Sequence, residues 1–424
     1  MSSKANPIEH IKYIDALCRL GVSYHFDKDI VEQLDKLFDC PDFNQTIRQD
    51  GCDLYTVGIL FQVFRQFGFK LSADVFEKFT DKNGKFKGHL VADANGMLSL
   101  YESAQWGTHG EDIIDEALAF SRAHLKEITS RCSPHLAVRI KNALKHPYHK
   151  GISRIETRQY ISYYQEEESC DPTILEFAKI DFNLLQILHR EELSFVARGV
   201  LVVTWSILRA SVFSSTIALA TALILFTALD DTYDAYGTVE ELELFTDAME
   251  KWLPAAPNGM TDVAKLQLDE YKENAILTSA YYALIAVTFV RMTDVAKLDA
   301  FEWLSSHPKI RVASEMICRF TDDVSSYEYE HKREHVATGI DCYMNQFGVS
   351  KEIAVEEMKN IVSNAWKDLN QEIMRPHAFP FPLLMRVFNL SRVIDVFYRY
   401  QDSYTHPEYL KAHIVSLLVE SIPI

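Results

Sequence analysis

The side chains best suited to chemistry form two groups of oxygens. In "LDDTYDAYGT", residues 229–238, Asp230, Asp231 and Asp234 crowd into five positions at the end of an apolar run. In "DDVSSYEYE", residues 322–330, Asp322, Ser326 and Glu330 recur at every fourth position. On a helix, residues four apart share a face, so Asp230 and Asp234 project together while Asp231 points about 100° away. Asp322, Ser326 and Glu330 likewise line one face over about two turns. Like charges on one face repel, by about a few tenths of a kcal/mol at a solvated helix end, so an exposed acidic helix laced with ion pairs accounts for either group taken singly. Beneath a long apolar helix, paired anions require a cation, because burying unpaired charge is far costlier than exposing it. Carboxylates with a hydroxyl suit a hard divalent ion such as Mg²⁺, which keeps several waters and takes phosphate oxygens of a substrate into its shell.

Cations accompany these acids. Arg319 lies one turn before Asp322, and Lys332 and Arg333 follow Glu330. Alternating metal-binding acids and bases suit a diphosphate, whose charge calls for both metal and guanidinium; intrahelical salt bridges are the alternative. "HKREH", residues 331–335, also fits the zinc-peptidase pattern H-x-x-E-H. Its third ligand is unspecified, and the neighbouring oxygens favour a harder ion.

The elements that must position these groups are helices. Apolar residues recur at three- and four-residue spacing, as in Ile8, Ile11, Ile14, Leu17 and Ile30, Val31, Leu34, Leu37. Gly- and Pro-containing breaks such as "DKNGKFKGH" (81–89) and "RPHAFPFP" (375–382) fall between them. The chain is therefore expected to be all-α, with antiparallel helices and short connections. A polar, acidic stretch ending in Asp-Pro, "YQEEESCDP" (164–172), sets a domain boundary near residue 170. "MTDVAKL" occurs at both 260–266 and 292–298, a recurrence too isolated for a solenoid repeat.

Composition narrows the class. The 424 residues are 48% hydrophobic, ample for packed cores, and their formal net charge of −17 opposes nucleic acid as a partner. Seven cysteines without a CxxC pair fit free thiols in a reducing compartment. "MSSKANPIEHIKYIDAL" lacks the apolar core of a signal peptide and the Arg/Ser-rich character of a transit peptide, so a cytoplasmic protein is expected. Residues 200–229 are long and apolar enough to cross a bilayer, but Arg209 and several Ser/Thr interrupt them. A central helix wrapped by others is equally apolar, and no membrane span is expected.

The residues quoted so far, with "IDALCRLGVSYHF" (14–26), "DFNLLQILHREEL" (181–193), "REHVATGIDCYMNQFGVS" (333–350) and "DSYTHPE" (402–408), resemble plant terpene synthases, especially the sesquiterpene cyclases. The resemblance spans most of the chain. It implies an N-terminal helical domain of the family's β type over residues 1–170, in part, and a class I α-helical bundle catalytic domain over 171–424. It implies a prenyl diphosphate substrate and three Mg²⁺ ions, with Mn²⁺ as a substitute. Asp230 and Asp234 would hold metal from one side, and Asp322, Ser326 and Glu330 from the other. Arg319, Arg333 and Arg198 would grip the departing diphosphate. Trp205, Thr278, Ser279 and Tyr281 would face the substrate, and Tyr398, Asp402 and Tyr404 would form the lid end of the pocket.

The chain also departs from that family. It is read as truncated at its N-terminus and shortened internally, before Trp205 and between Trp252 and Glu273. "FVARGVLVV" offers Arg198 but no second member of the family's Arg-x-Arg pair. No DxDD occurs, which leaves ionisation-initiated chemistry. The leading expectation is a monomeric, Mg²⁺-dependent sesquiterpene synthase that ionises and cyclises farnesyl diphosphate with release of diphosphate. The alternative is an inactive relative that binds diphosphate or serves as a helical scaffold.

Overall fold

A computed structural model describes residues 6–49, 51–203, 267–331 apart from 291 and 293, 338–403 and 406–424; the side chains of 195–203, 277, 278 and 330 are outside that description. The described chain is helical, as the periodicity predicts, and its β content is one isolated bridge between Thr80 and Phe86. It divides into two compact units: residues 1–189 with 363–424, and residues 190–362. These units group residues by packing and not by the sequence boundary set near residue 170.

The first unit opens with α1 (Pro7–Arg19), α2 (Asp27–Phe38), α3 (Pro41–Arg48) and α4 (Leu54–Gln66). Helix α4 carries an almost unbroken apolar sequence because it is surrounded, with Val57, Leu60, Phe61 and Phe64 fully buried. It packs on α1 and on α5 (Ala94–Ala104), which in turn packs on α6 (Asp112–Ile128). The α4–α5 approach depends on Gly58: a Cβ there would lie 2.3 Å from Ser99 Oγ. Helices α7 (Pro134–Lys145) and α8 (Ser153–Tyr164) follow, and α9 (Pro172–Val203) starts in this unit and ends in the second. Asp53, Asp93 and Ser133 cap α4, α5 and α7 by accepting from backbone N–H groups.

The second unit contains α10 (Leu268–Thr278), α11 (Tyr281–Phe289), α12 (Leu298–Ser305), α13 (Lys309–Glu330) and α14 (Gly339–Phe347). Helix α13 is its organising element and packs against α10, α11 and α14. Its apolar stripe meets Leu268, Ile340, Ala354 and Met358 through Phe320 and Tyr327. Helix α15 (Lys351–Glu372) begins here and returns the chain to the first unit. There α16 (Phe381–Tyr398) and α17 (Lys411–Leu418) complete the first unit, with Phe388 of α16 stacked on Trp106 at 5.9 Å. Among the described residues no helix is long and apolar enough to cross a membrane; most of the 200–229 stretch lies outside them.

Candidate active site

Helix α13 runs unbroken for 22 residues and ends at Glu330, so Asp322, Ser326 and Glu330 share one helical face as their spacing predicts. Successive members stand about 6 Å apart along the axis. Asp322 is half-buried, and Ser326 is buried at 4% exposure. The Ser326 hydroxyl donates to the Asp322 carbonyl at 2.9 Å. That directs its proton back along the helix and leaves oxygen lone pairs to accept. A carboxylate and a hydroxyl oxygen held this way fit a hard, oxygen-seeking cation such as Mg²⁺.

Arg319 is half-buried on the same helix, with Nη1 3.7 Å from Asp322 Oδ2. Burial alone would pull its guanidinium pKa down, but Tyr271 and the carboxylates of Asp323 and Asp322 outweigh it and hold Arg319 above its ordinary value. A fixed cation beside a metal-type acid is what a diphosphate site requires.

Sequence reasoning passed over the residue next door. Asp323 is 3% exposed and lies about 100° round the helix from Asp322. Its carboxylate accepts from the Tyr271 hydroxyl, at 2.9 Å to Oδ1 and 2.8 Å to Oδ2, and from the Gly339 N–H at 3.1 Å. Burial and the neighbouring Asp323 charge push the Tyr271 pKa up, so the phenol stays protonated and donates. A second carboxylate ties α13 to α14: Asp341 accepts from Tyr327 Oη at 3.1 Å and from both the backbone and hydroxyl of Thr338 at 2.9 Å. The T-x-x-D spacing of Thr338 and Asp341 is a readable capping box. The doublet Asp322–Asp323 gives no comparable signal.

His331 of the zinc-type pattern meets protein oxygens with both ring nitrogens, Tyr327 O at 3.0 Å and Asp341 Oδ1 at 3.1 Å. His335 lies outside the described residues, and among those described no three His, Cys, Asp or Glu side chains gather as a metal group.

Helices α10 and α11 meet at a break. Thr278 closes α10, Ser279 caps it, and Ala280 takes a left-handed φ of 57° before Tyr281 opens α11. A residue with a Cβ in this region is strained and interrupts a helix. The Ser279 hydroxyl donates to Ile276 O at 3.0 Å and accepts from Tyr281 N–H at 3.3 Å, which steadies the break. Tyr281 is buried at 4% exposure.

Other expected site residues are distributed elsewhere. Tyr398, the last residue of α16, and the buried Asp402 belong to the first unit. Arg198 sits on α9. Asp230, Asp234, Trp205, Arg333 and Tyr404 lie outside the described residues, as does the Glu330 side chain.

Comparison with known proteins agrees with this geometry. Residues 1–144 match the family described as terpene synthase, N-terminal domain, and residues 189–267 and 265–368 match the terpene synthase family, metal binding domain. The chain is 69% identical to an alpha-humulene/(−)-(E)-beta-caryophyllene synthase of Arabidopsis thaliana, over all of this chain and 91% of that one. That alignment runs over 498 residues against 424 here, so the relative carries internal stretches that this chain lacks. It is also 37% identical to a valencene synthase of Vitis vinifera, over 99% of this chain and 88% of the relative. Isoprene synthase from grey poplar leaves, solved in complex with three Mg²⁺ ions and dimethylallyl-S-thiolodiphosphate, superposes with a TM-score of 0.85 at 26% identity, covering 100% of this chain and 94% of its own. By family match, full-length identity and an oxygen-lined helix face suited to Mg²⁺, this chain belongs to the terpene synthase family.

Proposed function

We propose that this protein is a Mg²⁺-dependent sesquiterpene synthase that ionises farnesyl diphosphate, cyclises the resulting cation and releases diphosphate. The observation that carries the reading is the 69% identity, along the whole chain, to a synthase named for humulene and caryophyllene. The same observation disfavours the inactive-scaffold alternative. In this reading residues 1–170 are the N-terminal helical domain and 171–424 the catalytic domain.

Asp322, Ser326 and Glu330, with Asp230 and Asp234, would hold the metal. Bound Mg²⁺ would supply Lewis-acid neutralisation of the diphosphate as its carbon–oxygen bond breaks. Arg319 brings a permanent cation to the same face, and Arg333 and Arg198 are assigned to the leaving group with it. A pre-set charge lowers the barrier because nothing has to reorganise as anionic charge develops. Tyr281, with Thr278 and Ser279, would contour the isoprenoid pocket. A desolvated aromatic face is worth about 2 kcal/mol or more to a cation above it, a role assigned to Tyr281, Trp205, Tyr398 and Tyr404. Asp402 is placed with Tyr398 and Tyr404 at the end that excludes water, which would otherwise quench the cation. The reading includes a monomer working in the cytoplasm, and a net charge of −17 opposes nucleic acid as a partner.

The test is incubation of purified protein with farnesyl diphosphate and Mg²⁺, followed by gas chromatography of the volatile fraction. Cyclic C15 hydrocarbons are expected. Turnover no greater than that of an Asp230→Ala control would overturn the reading.

A further inference from the structure

We propose that Asp323 is a positioning residue for the metal-facing side of α13: gripped from two neighbouring elements, it sets the helix rotation that aims Asp322 and Ser326. This rests on the reading of α13 as a metal face given above.

Side chains lie about 5–6 Å from a helix axis, so a rotation of about 10° carries a ligand oxygen about 1 Å sideways. Metal–ligand distances tolerate roughly 0.2 Å. Apolar burial is non-directional, so hydrogen bonds of fixed geometry set the rotation of a helix more sharply than apolar packing alone. A directional restraint on the rotation of α13 is therefore needed, and Asp323, about 100° round the helix from Asp322, supplies it. Its two oxygens are bridged by Tyr271 Oη of α10, and one of them also takes the Gly339 N–H. Because Gly339 is the first residue of α14, the carboxylate also meets the positive end of that helix.

The close approach leaves no room for a side chain at residue 339: a Cβ there would lie 2.8 Å from Asp323 Oδ2 and 3.0 Å from both Phe320 and Tyr271. Asp323 further shares the field of Arg319 with Asp322. With its charge removed, Arg319 would be drawn more strongly to Asp322 and would compete with an incoming cation.

Three variants test this: Tyr271→Phe, which removes one hydroxyl; Asp323→Asn, which keeps the shape and loses the charge; and Asp323→Ala. Each is titrated calorimetrically with Mg²⁺ in the presence of inorganic diphosphate, assayed for the Mg²⁺ dependence of farnesyl diphosphate turnover, and melted without metal. A positioning role predicts that Tyr271→Phe and Asp323→Asn melt within a few degrees of the parent, bind Mg²⁺ about tenfold or more weakly, and regain much of kcat at saturating Mg²⁺. Asp323→Ala should be worse in each respect, and if it does not fold, Tyr271→Phe decides. Parent-like Mg²⁺ affinity in both conservative variants, whatever their melting points, overturns the positioning role alone. A parent that neither turns over nor binds Mg²⁺ with diphosphate overturns the synthase reading and this inference with it.

Discussion

Two carboxylate systems, one in each unit, use charge in opposite ways. In the first unit Arg19 donates to Asp15 at 2.8 Å and to Glu102 at 2.6 Å, while Gln62 donates to Asp15 at 3.1 Å and accepts from Arg19 at 3.3 Å. Each member bonds others on different helices, so the network joins α1, α4 and α5 into one piece. Burial pushes the Glu102 carboxyl up, but Arg19 and Arg139 outweigh it and hold Glu102 below its usual range. On α13, Arg319 and Asp322 sit 3.7 Å apart, and the oxygens of Asp322 and Ser326 share a face instead of enclosing a cation. Charge directed inward and closed on itself builds a fold. Charge aligned on one face, with the helix braced by Asp323, suits a ligand that brings its own counter-charge.

Breaking the closed system should give the largest effect. Glu102→Ala removes one of the two carboxylates that Arg19 holds, leaving its buried guanidinium with Asp15 alone, and is expected to cost about 3 kcal/mol in urea unfolding. The folded-state pKa of Glu102 is depressed, so the stability it contributes is present above the ordinary carboxylate pKa and lost as pH falls through the folded value. The gap between parent and variant should therefore narrow in acid. A loss below about 1 kcal/mol at neutral pH would mean that the network is ornamental.

Breaking the open system should register in chemistry and leave the fold intact. Asp322→Ala is expected to lower turnover by about 100- to 1000-fold, the scale seen when one preorganised charge-stabilising group is removed. Its unfolding free energy should change by less than about 0.5–1 kcal/mol, because the side chain is half-buried and its ion pair is long. A destabilisation matching that of Glu102→Ala would erase the distinction between the two systems.

The sequence was informative where chemistry and periodicity coincide. A four-residue recurrence of Asp, Ser and Glu keeps to one face of a helix, and α13 is one; the three- and four-residue apolar repeats of the first unit became helices because that spacing has the helical period. The break between α10 and α11 falls at the left-handed Ala280, because neither half can continue through that dihedral. The braces were not legible. Tyr271, Asp323 and Gly339 are separated by 52 and 16 positions and meet only after three helices pack. Asp323 was hidden by its own neighbour, since a doublet of acids reads as one motif although the two side chains point about 100° apart. Arg19, Gln62 and Glu102 are just as scattered, and nothing local distinguishes a buried arginine from a surface one.

A smaller effect tests whether the brace tolerates slack. Gly339→Ala adds a methyl 2.8 Å from Asp323 Oδ2, an oxygen tethered by hydrogen bonds to two elements and unable to swing aside. Overpacking of this kind costs about 1–3 kcal/mol. The expected signature is a modest loss in urea midpoint with an unchanged slope. An unaltered midpoint would show that α13 and α14 separate easily and that the clip is soft.

The smallest predicted change concerns a carboxyl in the first unit that stands outside the closed system. Glu156 lines a cavity of about 530 Å³ with Arg139, Tyr148 and Tyr160, and burial, aided by the Glu102 charge, pushes its pKa up to about 8. Because the folded value is raised, its protonation contributes stability that is fully present below about pH 4.5 and lost as pH rises through about 8. Glutamine has nearly the same shape and cannot ionise, so Glu156→Gln should match the parent in acid and exceed it by about 1 kcal/mol or more at pH 8.5, the scale of a single pKa unit. Equal stability of the two proteins across that range would mean that Glu156 is ionised in the fold and drawn into the Arg19 network, making the inward-closed charge of the first unit one carboxylate larger.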